Sequence, residues 1–301
     1  MRAGKDQISR FSPRSGRFIL PRMVSPGKYF FSAPFPAPPR PSHLVLMAGW
    51  DPSGKAGLIV DIFSAAAFPI PFVPLPTAFT IQTKSRFQVT PRAVGTLRLE
   101  LQSAFQEYRI GGIKIGLVPS PNLYEVIVQS LSELAPAGKI PVVVDPVLRS
   151  SLPVHDNRLV EPTLPKSLPE ILTPLRPVLT PNIPELEELT GRTIRSLGDI
   201  RESAKQLIAK TDGPVLVKGG HLSGKTVSDH LFLPDGLEKH WRSPRLAFPR
   251  ENPPRGTGCR FSTALAAHLA SGYPLETAVS KARSYVRRYL CDYWRRSNSK
   301  K

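Results

Sequence analysis

The strongest candidate for chemistry in this sequence is a glycine-containing turn ahead of an apolar helical stretch, formed by Gly256, Thr257, Gly258 and Cys259. Two glycines let several backbone N–H groups converge, and the dipole of the following helix adds positive potential. Such a turn can stabilise the charge of a phosphoryl group during its transfer. The helix start is also expected to lower the pKa of Cys259, which could then act as a base towards a substrate hydroxyl. The alternative is an ordinary helix entry with a buried structural thiol.

Polar residues at the predicted ends of three strands could complete a phosphoryl-transfer site. Asn182 and Glu185 follow one strand and begin a helix, where they could share a face near a hydrated magnesium ion, held through water. The same string is also good helix-capping chemistry, so both interpretations stay open. Lys218 and Asp145 each end a strand, which is where doubly wound sheets bind ligands.

Two other strings resemble nucleotide-binding loops. Residues 219–226 satisfy the Walker A pattern, but a strand pattern follows them where a phosphate-binding helix is required. Residues 49–56 lie between a strand and a helix, yet Ala56 lacks the hydroxyl that would hold magnesium, and Asp51 would oppose a triphosphate. We expect this second loop to hold a small polar substrate through backbone groups, with Asp51 or Asp61 accepting hydrogen bonds. Neither string predicts a P-loop enzyme.

Short apolar runs alternate with amphipathic stretches from residue 43 onward. Strands are predicted at 44–48, 112–115, 140–144, 178–180 and 215–218, with a hairpin at 227–233 and 237–241. Helices are predicted at 56–67, 91–107, 120–134, 182–190, 199–211, 258–271 and 275–291. This order is typical of an α/β protein whose mostly parallel central sheet is flanked by helices on both faces.

Residues 68–76 conflict with this pattern. Four prolines occupy the place where a second strand belongs. Because proline cannot donate to a central ladder, we expect an edge, a bulged strand or an irregular connection here.

The charge of the chain is uneven. Its 301 residues contain 41 Lys and Arg against 23 Asp and Glu, a net charge of +18, of which +7 falls within residues 1–43. We predict a disordered, basic, Pro-rich leader at 1–42, a folded domain at 43–291 and a basic tail at 292–301. The leader could be a nucleic-acid arm, an organellar transit peptide or a dispensable segment upstream of Met23 or Met47. The arginines after residue 286 are expected to form a solvated helix face.

Composition excludes several classes of protein. A hydrophobic fraction of 41% is too high for a wholly disordered chain. No run of eighteen apolar residues is present, which excludes a membrane-spanning helix. The two cysteines, Cys259 and Cys291, cannot build a disulfide scaffold or a four-ligand zinc site, and they suit a reducing compartment such as the cytoplasm.

Taken in chain order, the motifs resemble the hydroxymethylpyrimidine/phosphomethylpyrimidine kinases of thiamine biosynthesis, within the ribokinase-like superfamily. The resemblance covers about residues 43–290 and is strong because seven motifs occur in the right order and spacing. These motifs are Ala48-Gly-Trp-Asp-Pro-Ser-Gly54 with Ala56-Gly57 and Asp61, Thr77-Ala-Phe-Thr-Ile-Gln82, Lys114-Ile-Gly-Leu117, Val144-Asp-Pro-Val147, Thr180-Pro-Asn182 with Glu185, Val217-Lys-Gly-Gly-His221 and Gly256-Thr-Gly-Cys259.

The resemblance implies a three-layer α/β/α fold, a homodimer, and transfer of the ATP γ-phosphoryl group to a pyrimidine hydroxymethyl group and then to its monophosphate. It places Gly49, Gln82 and Asp61 around the pyrimidine, with Leu117 and Val147 packing the pocket. The remaining site residues divide into two sets by implied role. Catalysis would use Gly256, Thr257, Gly258, Lys218 and Cys259, the last standing where many relatives carry a catalytic Asp, and ATP with Mg²⁺ would be bound by Asp145, Asn182 and Glu185.

Several positions depart from the family pattern. Lys55 replaces a glycine, Trp50 a residue that is commonly small, Leu117 a frequent Met, and Arg255 a common His. The alternatives are therefore a pyridoxal-type (vitamin B6) kinase and a non-catalytic homologue that binds a ligand or nucleic acid. Aromatic residues make up only 8% of the chain and show no stacking pattern, which disfavours nucleic acid.

Overall fold

The computed structural model describes residues 42–83, 86–135, 138–152, 157–221, 224–248 and 253–298. Residues 1–41, which hold nearly all of the predicted leader, lie outside the described residues. The strands are β1 His43–Trp50, β2 Phe72–Gln82, β3 Phe87–Pro91, β4 Ile110–Ile115, β5 Val142–Val144, β6 Val178–Leu179, β7 Val215–Val217, β8 Thr226–Phe232 and β9 Glu238–Pro244. The helices are α1 Gly57–Ala65, α2 Val94–Glu107, α3 Pro121–Leu134, α4 Leu164–Leu172, α5 Ile183–Thr190, α6 Leu197–Thr211, α7 Thr257–Ala270 and α8 Leu275–Asn298.

These strands form one sheet in the order β3-β2-β1-β4-β5-β6-β7-β8-β9. The six strands from β2 to β7 in this order pair in parallel, whereas β3, β8 and β9 pair antiparallel. The prediction of a mostly parallel sheet is therefore confirmed. Since parallel strands point the same way, their carboxyl ends lie at one edge, where ligand sites of such sheets form.

Side chains on the central strands alternate between two apolar layers. In β1, Val45 and Met47 join one buried cluster, while Leu44 and Leu46 join the other. The first cluster includes residues of α2, α3, α4, α5 and α6, and the second includes residues of α1, α7 and α8. This alternation covers both faces of the sheet with helices, so the predicted three-layer α/β/α architecture is confirmed.

The Pro-rich segment becomes the first half of β2. Its residues 72–76 pair with β1, and β3 pairs with β2 only from Ala78 onward. Pro74 and Pro76 therefore lie where the strand has one neighbour, and such an edge tolerates a residue without an N–H group. A register shift between Ala48 and Gly49 of β1 marks a bulge opposite. The expectation of an edge or a bulged strand is thus confirmed on both counts.

Three element predictions were incomplete. Helix α4 was not predicted because Pro165 and Pro169 interrupt its pattern, although one occupies its first turn. Strand β3, with five residues, was also missed. Helix α8 continues to Asn298, past the predicted boundary at 291, so residues 292–298 are helical rather than a tail. Packing of Tyr293 against the Phe248 ring, with centroids 5.9 Å apart, accompanies this extra length. No helix within the described ranges is long and apolar enough to cross a membrane.

Candidate active site

A cavity of about 1090 Å³ opens at the carboxyl ends of the parallel strands. Of the predicted site residues, all but one line it. These are Gly49, Gln82, Leu117, Asp145, Val147, Asn182, Glu185, Lys218, Gly256, Thr257, Gly258 and Cys259. Residues separated by up to about two hundred positions in the chain are thus brought to one place by the parallel sheet and by the start of α7.

The predicted glycine turn forms the start of α7. Gly256 is the N-cap and adopts a left-handed conformation with φ of 70°. A Cβ atom at Gly256 would lie 2.7 Å from the carbonyl oxygen of Lys55. A Cβ at Gly258 would lie 3.3 Å from the Nζ of Lys218 and 3.4 Å from a carboxylate oxygen of Asp145. Both glycines therefore let the backbone approach its neighbours closely, as an anion-binding turn requires.

Lys218 is a buried cation held between two carboxylates. Its Nζ lies 2.5 Å from Asp145 Oδ1 and 3.9 Å from Glu185 Oε2. The hydroxyl of Ser262 on α7 donates to the other oxygen of Asp145 at 3.3 Å. Burial opposes the charge of the lysine, but the two carboxylates outweigh it and raise the pKa of Lys218 above its ordinary value. The amine thus stays protonated beside the glycine turn.

Asn182 and Glu185 form a reciprocal capping box at the start of α5. The Asn182 side chain accepts from the Glu185 N–H at 3.0 Å, and Glu185 accepts from the Asn182 N–H at 2.8 Å. The capping interpretation is therefore confirmed. The two side chains also line the cavity. Burial raises the pKa of Glu185 to about 7, although Lys218 opposes this rise.

The part of the cavity lined by Gln82, Leu117 and Val147, which we call the deep lobe, has an amide beside apolar side chains. Gln82 donates to the hydroxyl of Thr80 at 3.0 Å and accepts from the hydroxyl of Ser150 at 2.7 Å. Leu117 and Val147 line the same cavity. The sequence analysis assigned no role to Thr80, although it lies within the motif of residues 77–82, or to Ser150, because a single hydroxyl residue in a strand or loop carries no signal of its own. Their hydrogen bonds hold the orientation of the Gln82 amide.

Asp61 does not lie where the sequence suggested. It is fully buried and does not line the cavity. Its carboxylate pairs with Lys114 at 2.6 Å and accepts from the Thr263 hydroxyl at 2.9 Å. The predicted contact of Asp61 with a substrate was therefore wrong, because the second turn of α1 faces the sheet. The other candidate, Asp51, is also buried but lines the cavity, and it accepts hydrogen bonds from the Ser53 N–H and hydroxyl.

The acidity of Cys259 is also opposite to the prediction. Burial raises the pKa of this thiol to about 11, and the nearby carboxylate of Asp61 adds to the rise. Lys114 lowers it only in part. The helix start was expected to dominate, but desolvation of a thiolate is the larger effect here. Cys259 is therefore a thiol at neutral pH.

Comparison with known proteins agrees with this geometry. The model of the family described as phosphomethylpyrimidine kinase matches residues 51–299. The chain belongs to this phosphomethylpyrimidine kinase family. A hydroxymethylpyrimidine/phosphomethylpyrimidine kinase of Streptomyces coelicolor is 34% identical over 254 residues, which cover 83% of this chain and 90% of the relative. This bears out the predicted resemblance and identifies the chain as a kinase, with ATP as the co-substrate that a kinase implies.

Solved structures support the same fold. The phosphomethylpyrimidine kinase of Clostridium difficile superimposes with a TM-score of 0.67 at 27% identity, covering 83% of this chain and all of the other. The pyridoxal kinase of Staphylococcus aureus gives a TM-score of 0.71 at 22% identity, covering 82% of this chain and 87% of that structure. At that identity the second similarity shows the fold alone.

The cavity also extends between the β8–β9 hairpin and α8, and we call this part the outer lobe. Residues lining this lobe are Val227, Trp241, Arg242, Leu246, Phe248, Arg283, Arg287 and Arg288. Arg287 donates to the carbonyl of Pro244 at 2.6 Å, and Arg283 pairs with Asp229. Arg287 and Arg288 were predicted to be part of a solvated face. Both border the cavity because α8 packs beside the hairpin, and Arg288 is also exposed, as predicted.

The string that resembles a P-loop lies at the edge of this lobe. Residues Gly219–His221 form a single 3₁₀ turn, and β8 begins at Thr226. No helix follows within the described residues 224–232, so the prediction that this string is not a P-loop is confirmed.

Proposed function

We propose that this protein transfers the γ-phosphoryl group of ATP to hydroxymethylpyrimidine and then to hydroxymethylpyrimidine phosphate, as a step of thiamine biosynthesis. The observation that carries this proposal is the glycine turn of α7, which lies beside the protonated Lys218 so closely that a Cβ atom on Gly258 would be 3.3 Å from its Nζ, in one cavity with Gln82. Relatives named for this activity, such as those of Streptomyces coelicolor and Aquifex aeolicus, support the choice of alcohol.

The two lobes suit two substrates of different chemistry. The deep lobe combines the amide of Gln82 with Leu117 and Val147, which fits a small, flat heterocycle with polar edges. The outer lobe combines apolar side chains with guanidinium groups, which fits a nucleotide. The hydroxymethyl oxygen would then meet the γ-phosphorus beside Gly258 and Cys259.

In the transfer step, a bond forms between the hydroxymethyl oxygen and the γ-phosphorus, and the bond from that phosphorus to the β,γ-bridging oxygen breaks. The phosphoryl oxygens carry the negative charge in this step, and the N–H groups of α7 with Lys218 stabilise it. ADP leaves, and the hydroxyl proton is released. For the second round, a phosphate oxygen of the monophosphate attacks in place of the hydroxyl.

Cys259 then has a positioning part in the first round. Since its pKa is raised to about 11, the resting group is a thiol and not a thiolate. The transition state of phosphoryl transfer is loose, so removal of the hydroxyl proton contributes less than alignment and charge stabilisation. We infer that the thiol orients the attacking oxygen as a hydrogen-bond partner, while the hydroxyl proton passes to a phosphoryl oxygen or to water as the new bond forms.

The residues present fit a hydrated magnesium ion. Within the described residues, no group of three or more His, Cys, Asp or Glu could hold a metal by itself. Mg²⁺ characteristically keeps several waters and binds to one or two carboxylates together with substrate phosphates. Glu185 and Asp145 would supply those carboxylates, with Asn182 acting through water, and the ion would neutralise charge on the β- and γ-phosphates.

A substrate panel tests the proposal. Purified protein with ATP and Mg²⁺ should form ADP with hydroxymethylpyrimidine and with its phosphate, and form little with pyridoxal. ADP formation with pyridoxal alone would replace the proposal by the B6-type alternative. A rise in thermal stability with hydroxymethylpyrimidine but no ADP would instead indicate a ligand-binding homologue. The homodimer and the cytoplasmic location stay predictions, and light scattering of the purified chain would test the first.

A further inference from the structure

A chain of three buried polar side chains begins at the wall of the cavity, which Lys114 helps to line. Lys114 of β4 and Asp61 of α1 are both fully buried, with Nζ 2.6 Å from Oδ2. Oδ1 of Asp61 accepts from the hydroxyl of Thr263 on α7 at 2.9 Å. We refer to these three residues as the Asp61 chain. It ties a strand and two helices together through side chains alone.

The chain lies one helical turn below Cys259. On α1, Asp61 follows Gly57 by four residues, and on α7, Thr263 follows Cys259 by four residues. The Gly57 N–H is close enough to the Cys259 thiol to lower its pKa in part. The two helices therefore approach each other at two successive turns, first beside the thiol and next through Asp61 and Thr263. Residues four apart share one face of a helix, so both approaches lie on the facing sides of α1 and α7.

A second buried carboxylate holds α7 from the other side. Asp145 joins Lys218 at 2.5 Å to the Ser262 hydroxyl at 3.3 Å. Each carboxylate thus links one lysine of the sheet to one hydroxyl of α7, and the two hydroxyls are adjacent in sequence. The first turn of α7, which carries the anion-binding glycines, is fixed by both links.

Stability alone does not account for a charged pair in this place. Burying an ion pair costs solvation, and well-packed apolar residues often stabilise a fold equally well. The three positions of α7 that follow Thr263 are apolar and fully buried, namely Ala264, Leu265 and Ala266. The polar chain therefore borders a part of the core that is built from apolar side chains.

We propose that Lys114, Asp61 and Thr263 are positioning residues that hold the Cys259 thiol and the first turn of α7 in place for phosphoryl transfer. The proposal rests on the proposed kinase function for its kinetic part, and on the contacts of α7 together with the charges near Cys259 for its effect on the thiol. In this proposal Asp61 acts as a positioning residue and does not contact the substrate.

The charges around Cys259 predict that two substitutions change the acidity of its thiol in opposite directions. Four charged groups interact with the thiol, Asp61 from α1, Lys114 from β4, Asp145 after β5 and Lys218 after β7. Removal of the negative charge in Asp61→Asn makes the thiol more acidic. Removal of the positive charge in Lys114→Met makes it less acidic. General loosening of the fold would change access to the thiol in the same direction in both variants.

The rate at which Cys259 is alkylated reports the acidity of its thiol, and no substrate is needed for this measurement. Iodoacetamide is neutral, so the charges affect its rate through the thiolate fraction, and a Cys291→Ser background leaves Cys259 as the only target. At pH 8.5 we expect Asp61→Asn to react about three- to tenfold faster than the parent, and Lys114→Met to react slower by a similar factor. Rates that move in the same direction in both variants would overturn the proposal.

The kinetic arm uses Thr263→Val, which keeps shape and charge and removes one hydroxyl. We expect kcat to fall about tenfold while KM for ATP and for the alcohol stays within about twofold, because alignment is lost and binding is not. Ser64→Ala is the matched control. It also removes one buried hydroxyl, which lies on α1 and donates to the Val60 carbonyl. Equal kcat losses in the two variants would contradict a positioning part.

The two arms separate the possible failures. If Lys114→Met does not fold, Asp61→Asn must still accelerate alkylation, and no acceleration counts against the proposal. If the wild-type protein turns over no alcohol, the proposed function fails, while the alkylation rates still decide whether the Asp61 chain controls Cys259.

Discussion

At the scale of single residues, the sequence identified the types of group in the site better than their environments. Gly256, Gly258 and Lys218 could be predicted because a glycine pair before a helix and a lysine at a strand end are local patterns, each with a clear use in binding phosphate. The acidity of Cys259 could not, since it depends on burial and on Asp61, a residue almost two hundred positions away. For the same reason, a motif containing Asp61 could not reveal that its carboxylate turns towards Lys114.

Cys259→Ala should lower kcat for hydroxymethylpyrimidine by about a hundredfold, which is the size of loss expected when a reacting group is misaligned. The thiol orients the attacking oxygen, and alanine cannot. Steady-state ADP formation measures the change, with thermal unfolding as the control for folding. Cys291→Ser, the other cysteine, should keep parental turnover. A Cys259→Ala enzyme with parental kcat would show that the thiol is only structural.

Lys218→Gln should lower kcat/KM by about a hundred- to a thousandfold, because it removes a preorganised positive charge from the transferring group. Lys239→Gln is the matched control, as this exposed lysine lies 3.7 Å from Glu276 on the surface. Initial rates over a range of ATP concentrations separate effects on binding from effects on the chemical step. Similar rate losses in both variants would contradict the site assignment.

At the scale of elements, periodicity and turn residues located most of the helices and strands. Two elements were not predicted, α4 and β3. The local sequence of α4 opposes a helix, and β3 is too short to give a clear pattern. Helix α4 contains Pro169 within it, and β3 has only five residues. Tertiary packing decides both elements, and a single sequence does not display that packing. The length of α8 likewise depends on a contact with the loop after β9.

The free energy of unfolding should depend on pH because of His268, which lies on α7. This ring packs between Phe68 and Tyr273, with centroids 5.0 and 5.5 Å away, and burial with Lys281 and Arg288 nearby lowers its pKa to about 4. The unfolded chain protonates this histidine near pH 6.5. Its contribution to stability is therefore complete above pH 6.5 and is lost as pH falls towards 4.

Urea unfolding at pH 7, 5.5 and 4.5 measures this loss. His268→Gln should reduce the decrease in unfolding free energy between pH 7 and 4.5, while lowering stability at pH 7 through lost packing. An unchanged pH dependence in this variant would contradict the assignment. His240→Gln, in the exposed hairpin strand β9, provides a comparison variant.

At the scale of the whole molecule, part of the net charge of +18 can be assigned to places in the structure. A share of +7 falls within residues 1–43, nearly all outside the described residues. Within the described chain, Arg242, Arg287 and Arg288 border the cavity. Composition could reveal the excess of positive charge, but only the packing of α8 beside the hairpin shows that part of it surrounds a site. Polyanionic ATP is a partner that this charge would attract.

Ionic strength should therefore affect the two substrates differently. Raising NaCl from 50 to about 500 mM should increase KM for ATP several-fold, because screening weakens attraction to a polyanion. KM for neutral hydroxymethylpyrimidine should stay nearly constant over the same range. Initial rates at fixed Mg²⁺ concentration measure both values. An equal rise for both substrates would point to a general salt effect on the enzyme.

The identity of the phosphorylated product decides between the proposed kinase and its alternatives. Hydroxymethylpyrimidine incubated with ATP, Mg²⁺ and the purified full chain is followed over time by mass spectrometry. We predict a species carrying one phosphoryl group that appears first and a species carrying two that replaces it. One ADP should form for each phosphoryl group transferred. Unmodified hydroxymethylpyrimidine after prolonged incubation, in a preparation that remains folded, would contradict the proposed function.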